Sequence, residues 1–147
     1  MSQLELDELD TQIVARLRVE NRSNSALAEE LGISEGAVRQ RIKKLKESGV
    51  LKIRALINPD ILVRQQLATI AITISESRLL DAKAQEIAKL ENVLSVSITS
   101  GQYDLMVELL VDSNHGLVKF LTEVLAQVDG IAKTESFLML KNYNKYV

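Results

Sequence analysis

LAEELGISEGAVRQRIKKLKESGVL, residues 27–51, is the stretch on which the fold of the N-terminal part turns. A short helix over Ser25–Leu31 ends at Gly32, because glycine takes the left-handed conformation after a helix end without a steric penalty. Ile33 then plugs the corner. Ser34 is a helix N-cap, its hydroxyl able to accept from a free first-turn amide. A third helix runs from Ser34 to about Ser48 and stops at Gly49. Val38, Ile42 and Leu45 repeat at helical spacing and mark its buried side. Arg39, Gln40, Lys43, Lys44 and Lys46 fall mostly outside. Working back, Leu6, Leu9, Ile13 and Leu17 form one apolar stripe of a first helix, about Asp7–Glu20, with acidic residues in its first turn and basic ones in its last, as the helix dipole favours. Asn21–Asn24 is the polar break between the two. Helix, break, short helix, Gly-Ile-Ser corner and basic helix together predict a helix-turn-helix.

The charge is distributed to match. The whole chain carries a net charge of −2, but Arg39–Arg54 holds seven basic residues (Arg39, Arg41, Lys43, Lys44, Lys46, Lys52, Arg54) against Glu47 alone. From Pro59 onward there are eight basic and eleven acidic residues. The basic segment is a candidate phosphate-binding stripe, and a solvated helix face is the plainer alternative. In the DNA reading the third helix enters the major groove. Its exposed first turns, Glu35, Gly36, Arg39 and Gln40, with Lys43 one turn on, would meet base edges. Arg41, Lys44, Lys46, Lys52 and Arg54 would hold phosphates, positioning without reading. The helix end capped by Ser34 would aim its free amides at a further phosphate. A three-helix bundle used for protein contact fits the same pattern.

The rest of the chain is built differently. Leu51–Ile57 is short and β-rich; as a strand it would make the motif a winged one, and a loop is equally compatible. Asn58-Pro59-Asp60 is a turn with the only proline of the chain, and the domain boundary is placed there, giving 1–58 and 59–147. Asp60–Gln66 is a linker or a short helical piece. Leu67–Ser75 has a strand pattern, Arg78–Leu90 a helix pattern, Val93–Thr99 and Tyr103–Val111 strand patterns around a tight turn at Ser100–Gln102. Asn114 is expected to cap a helix to Val128, and Ile131–Leu140 is the last strand. The order βαββαβ is that of a ferredoxin-like sandwich, so the chain as a whole is α+β. Two helices cover one face of the sheet. The other face, carrying Ile70, Ile72 and Ile74 or their alternates, would be covered by a second subunit.

Three segments, LDELDTQIVARL with LAEELGISEGAVRQRIKKLKESGVL, TSGQYDLMVELLV, and GIAKTESFLML, resemble in this order the Lrp/AsnC family of feast/famine regulators. The resemblance spans nearly the whole chain. It implies an N-terminal DNA-binding domain and a C-terminal sandwich that pairs through its sheets into dimers, with tetramers or octamers built from these. It also implies an effector, an amino acid or related metabolite, bound between dimers. The matching hairpin residues are Gly101, Tyr103 and Asp104, and Thr134 and Ser136 fall on the matching last strand. Such a loop could hold a zwitterion, with Asp104 on an ammonium group and backbone amides near Gly101 on a carboxylate. Structural roles suit the same residues: Gly101 the turn, Tyr103 core or interface, Asp104 a hairpin cap. The sequence departs from the family in two places. Asn21 stands where an arginine is usual, with Arg22 displaced by one, and Leu62-Val63 replaces a leucine-glycine pair.

Other classes of function find little support. The composition lacks cysteine, which removes disulfides, thiolate metal sites and cysteine nucleophiles. The single histidine, His115, has no patterned partner. There is no phosphate loop, no nucleophile elbow and no metal-ligand spacing, so neither an enzyme nor a cofactor is expected. The acidic start, MSQLELDELD, has no apolar signal-peptide core, and no apolar run approaches the ~20 residues of a membrane span; a cytoplasmic protein is expected. An architectural DNA-binding protein without effector, and a metabolite-binding protein with a vestigial helix-turn-helix, are the competing readings.

Overall fold

The computed structural model describes residues 5–147; the first four residues of the acidic start lie outside the described residues. The chain divides into two compact units, Met1–Ala55 and Leu56–Val147, a division just ahead of the Asn58-Pro59 turn.

Among the described residues the first unit has three helices: α1 (Glu8–Val19), α2 (Asn24–Leu31) and α3 (Glu35–Glu47). Each opens on a side-chain cap of the type that satisfies a first-turn amide. The Asp7 carboxylate accepts from the Asp10 amide at 2.8 Å, Ser23 Oγ from Ala26 at 3.1 Å, and Ser34 Oγ from Ala37 at 3.2 Å. Gly32 closes α2 at φ 66°, ψ 32°, and the Ile33 amide returns to the Ala28 carbonyl at 3.1 Å. Ile13, Leu27, Ala28, Val38 and Leu45 form the core, with Val14, Leu17, Leu31, Ile33, Ile42 and Leu51 packed against it.

Leu51–Ile57, the segment that would have been a wing, forms no strand. A strand needs a partner edge; here the Leu51 amide turns back to the Leu45 carbonyl, and Ile57 exchanges both backbone bonds with Val147 at 3.0 Å.

In the second unit a short 3₁₀ turn, Pro59–Ile61, leads into β1 (Gln66–Ile74). There follow α4 (Leu80–Ile87), β2 (Val93–Ile98), β3 (Leu105–Val111), α5 (Asn114–Lys119) and β4 (Ile131–Leu138). The antiparallel sheet has the order β2-β3-β1-β4, the ferredoxin-like arrangement. Ala68, Ile70, Ile72 and Ile74 of β1 and Leu105, Val107, Leu109 and Val111 of β3 pack with Ile87, Leu117, Phe120, Leu125 and Val128 on the helix side.

The opposite face carries the alternate residues. Across it Ala71 pairs with Met106 and Glu135, and Thr69 with Glu108 and Phe137. It is therefore smaller and more polar than an isoleucine face would be.

The expected helix Asn114–Val128 is broken into three. α5 passes into a π-helical turn at Phe120–Val124 and a 3₁₀ turn at Leu125–Gln127. The Leu125 amide bonds the Phe120 carbonyl, the five-residue step of a π turn. That wider turn lets Phe120 and Leu125 both face the core. The cap of α5 is Ser113, whose Oγ accepts from Gly116 at 3.2 Å, rather than Asn114.

Among the described residues no helix is long and apolar enough to cross a membrane.

Candidate functional site

α3 turns about 100° per residue. With Val38 and Leu45 buried in the core, Gly36, Arg39, Gln40 and Lys43 stand on the far side of the helix, and all four are exposed. Glu35, Lys44 and Lys46 are exposed as well, as are Lys52 and Arg54 in the extended segment beyond. Arg39 Nη2 donates to Glu35 Oε1 at 2.7 Å, one turn back, which holds the guanidinium along the outer face. Lys43 stands 3.8 Å from Glu47. Both are surface pairs, weak enough to be exchanged for another anion. Where a Gly36 side chain would stand, nothing comes closer than Ser34 Oγ at 4.0 Å, so a surface can approach the backbone closely there. A groove of about 460 Å³ between α2 and α3 is lined by Asn24, Arg39, Ile42, Lys43, Lys46 and Glu47. An exposed helix with cations on one side and a groove beside it is suited to a polyanion of regular shape.

Arg41 is the exception among the expected phosphate contacts. Its Nη1 donates to Asp7 Oδ2 at 2.5 Å and to Asp10 Oδ1 at 2.7 Å. The guanidinium is committed to two carboxylates of α1, and Asp10 is only 2% exposed. The signal for this pair is present in the sequence, because Asp10 lies one turn before Ile13 on the inward stripe of α1. A polar residue at such a place needs a partner. Arg22 is similarly engaged, bonded to Glu30 and 3.5 Å from Glu20, while Arg16 reaches the same Glu30 at 2.9 Å.

In the second unit the five hairpin and last-strand candidates are divided between the hairpin tip and the two faces of the sheet. Gly101 is at the exposed tip of the β2–β3 hairpin. The Tyr103 hydroxyl donates to Glu135, and Lys133 Nζ lies 5.9 Å from the ring centroid. Glu135 pairs with Ala71 on the open face. Thr134 and Ser136 pair with Ile72 and Ile70, so they belong to the helix side. There Thr134 lines a small cavity of about 230 Å³ with Leu121, Leu125, Ala126, Val128 and Ile131.

Asp104 has a defined structural task. Its amide donates to the Ile72 carbonyl at 2.9 Å, and its Oδ2 accepts from the Ile74 amide at 2.8 Å. The carboxylate thus stands in for the next backbone carbonyl of the β1–β3 ladder. Glu135 and Lys133, the partners of Tyr103, escape a reading based on the hydroxyl-bearing residues of the same strand. Strand alternation, which separates residue 135 from 134 and 136, is the signal that finds them.

Comparison with known proteins places both domains in one family. Residues 6–46 match the AsnC-type helix-turn-helix domain, and residues 67–146 match the Lrp/AsnC ligand binding domain. The HTH-type transcriptional regulator FL11 of Pyrococcus abyssi is 30% identical over 95% of this chain and 93% of its own. The leucine response regulatory protein of Mycobacterium tuberculosis superposes with a TM-score of 0.76 at 26% identity, over 95% of this chain and 96% of that one. A transcriptional regulator of Neisseria meningitidis, solved as its L-Met complex, shares the fold with a TM-score of 0.69 at 22% identity, over 96% and 94% of the two chains. All three are named as regulators. With one family model matched by the helix-turn-helix and another by the sandwich, the chain belongs to the Lrp/AsnC family of transcription regulators.

Proposed function

We propose that this chain is a sequence-specific DNA-binding regulator that reads the major groove with the outer face of α3 and whose assembly or DNA affinity responds to an amino acid or related metabolite. Residues 1–58 are the DNA-binding domain and 59–147 the effector and assembly domain. The observation that carries the reading is the exposed face of Gly36, Arg39, Gln40 and Lys43 on a helix whose opposite side is sealed into the core. Arg39 is suited to a bidentate guanine contact and Gln40 to adenine, with Glu35 and Lys43 alongside. Lys44, Lys46, Lys52 and Arg54, and the amides of the Ser34-capped helix end, hold phosphates. Arg41 is withdrawn from that set, because its charge is spent on Asp7 and Asp10.

The effector reading is supported by the match to a ligand binding domain and by the L-Met complex of the Neisseria regulator. Tyr103 and Thr134 face opposite sides of one sheet, so a site using the hairpin and the last strand together draws them from different copies of the chain.

The test is selection of duplexes from a randomised pool, followed by footprinting and titration against salt. Paired half-sites one helical turn apart, ~34 Å, or a multiple of it are expected for a dimer, and affinity should fall steeply with salt through counterion release. Recovery of no preferred sequence would favour an architectural role. A thermal-shift screen of amino acids identifies the effector class, since a ligand that binds the folded state raises the melting temperature.

A further inference from the structure

We propose that Arg41 is a positioning residue for DNA recognition: clamped between Asp7 and Asp10 of α1, it sets the rotation of α3 about its own axis and so decides which side chains meet the bases. The proposal rests on the major-groove reading above. Arg41 Nη1 alone bonds both carboxylates, at 2.5 Å and 2.7 Å. One of these, Asp7, is also the N-cap of α1 through its other oxygen, so a single side chain ties the start of α1 to the middle of α3. The other, Asp10, is 2% exposed. At about 100° per residue Arg41 lies at the margin of the apolar stripe formed by Val38, Ile42 and Leu45. Apolar contacts along such a stripe are non-directional and tolerate a small roll of the helix. Two charge-assisted hydrogen bonds at its margin do not, because they are directional and short. Asp10 is buried and Arg41 only partly exposed, so the bond between them fixes where the guanidinium sits, and Asp7 adds a second bond from the surface. A roll of α3 would move Arg39 and Gln40 sideways relative to a base edge, while a flexible lysine can still find a phosphate. The clamp should therefore matter for sequence preference and little for general affinity.

The experiment uses the full chain, with Arg41→Ala, Asp10→Asn and Arg41→Lys, well below the melting temperature of each. The probes are the tightest duplex recovered by selection and a mixed-sequence duplex. The expected result is a loss of about tenfold or more on the selected duplex for both Arg41→Ala and Asp10→Asn, with little change on mixed sequence. The salt slope should stay as in the wild type, and Arg41→Lys should recover part of the loss. Should Arg41→Ala not fold, Asp7→Asn removes one exposed carboxylate of the clamp and should show the same split, smaller in size.

Two results overturn the proposal. A salt slope reduced by about 0.9 in Arg41→Ala, with Asp10→Asn binding more tightly, makes Arg41 a phosphate contact. Losses equal on both probes and proportional to unfolding make the clamp merely structural. A wild type that does not prefer the selected duplex over mixed sequence is a separate failure, that of the major-groove reading, and it removes this proposal too.

Discussion

The hydroxyl of Tyr103 is bonded to the carboxylate of Glu135 across the open face of the sheet, joining the hairpin to the edge strand. The bond holds the phenol in its neutral form. Its pKa is raised above the ordinary 10.0, first by the hydrogen bond to Glu135, then by desolvation and the negative charge of the carboxylate. Glu135→Gln should return it toward the ordinary value. Phenolate absorbance against pH, with Tyr103→Phe subtracted to remove Tyr143 and Tyr146, reads the shift. No change in the Tyr103 titration would show that the pair does not form in solution.

Asp104 completes a backbone ladder, so its removal exposes a cost that a solvent-facing carboxylate would not. Asp104→Ala leaves the Ile74 amide without its acceptor, and an unsatisfied, partly buried donor costs about 1–3 kcal/mol. A lowered urea midpoint with unchanged slope is the expected outcome. A stable Asp104→Ala chain that has lost its amino-acid response would instead assign the residue to the effector.

Gly32 closes α2 at φ +66° with open space around the place of a Cβ. Gly32→Ala therefore meets no clash and costs only the left-handed conformation, about 1–2 kcal/mol. Thermal melts of the full chain measure it. A neutral effect would mean that the corner relaxes without a left-handed residue.

Acid should loosen the clamp. The Asp7 carboxyl is held below its ordinary range, first by the Asp10 amide at the cap and next by Arg41. A carboxylate with a depressed folded pKa stabilises the fold above its unfolded value, and the contribution disappears as pH falls through the folded one. The melting temperatures of wild type and Asp7→Asn should therefore differ near neutrality and converge below about pH 4. A gap that stays constant down to acid would deny the carboxylate this role.

The parts of this molecule that can be read from its sequence are those fixed by local chemistry. Gly32, Ile33 and Ser34 specify the corner within three residues, and the 38–42–45 period sets the buried side of α3. The strand pattern of Leu67–Ser75 and the period of two in Val93–Thr99 reveal strands, although β1 is buried on both faces and β2 fully on neither. Arg41 misleads because counting cations ignores partners more than thirty residues away. Thr134 and Ser136 look like one shell with Tyr103 until the register with β1 puts them on the other side of the sheet. Leu51–Ile57 has strand composition, but composition provides no partner edge. The π turn at Phe120–Val124 reflects two core contacts five residues apart, a demand of tertiary packing.

The most direct test of the central claim, that the outer face of α3 reads base edges, is the affinity of Arg39→Ala and wild type for the selected duplex and its single-base variants. The account predicts that Arg39→Ala binds the parent duplex more weakly by about 1–3 kcal/mol and no longer discriminates at one base position, with the other positions read as before. Equal affinity and an unchanged base profile for the two proteins would contradict it.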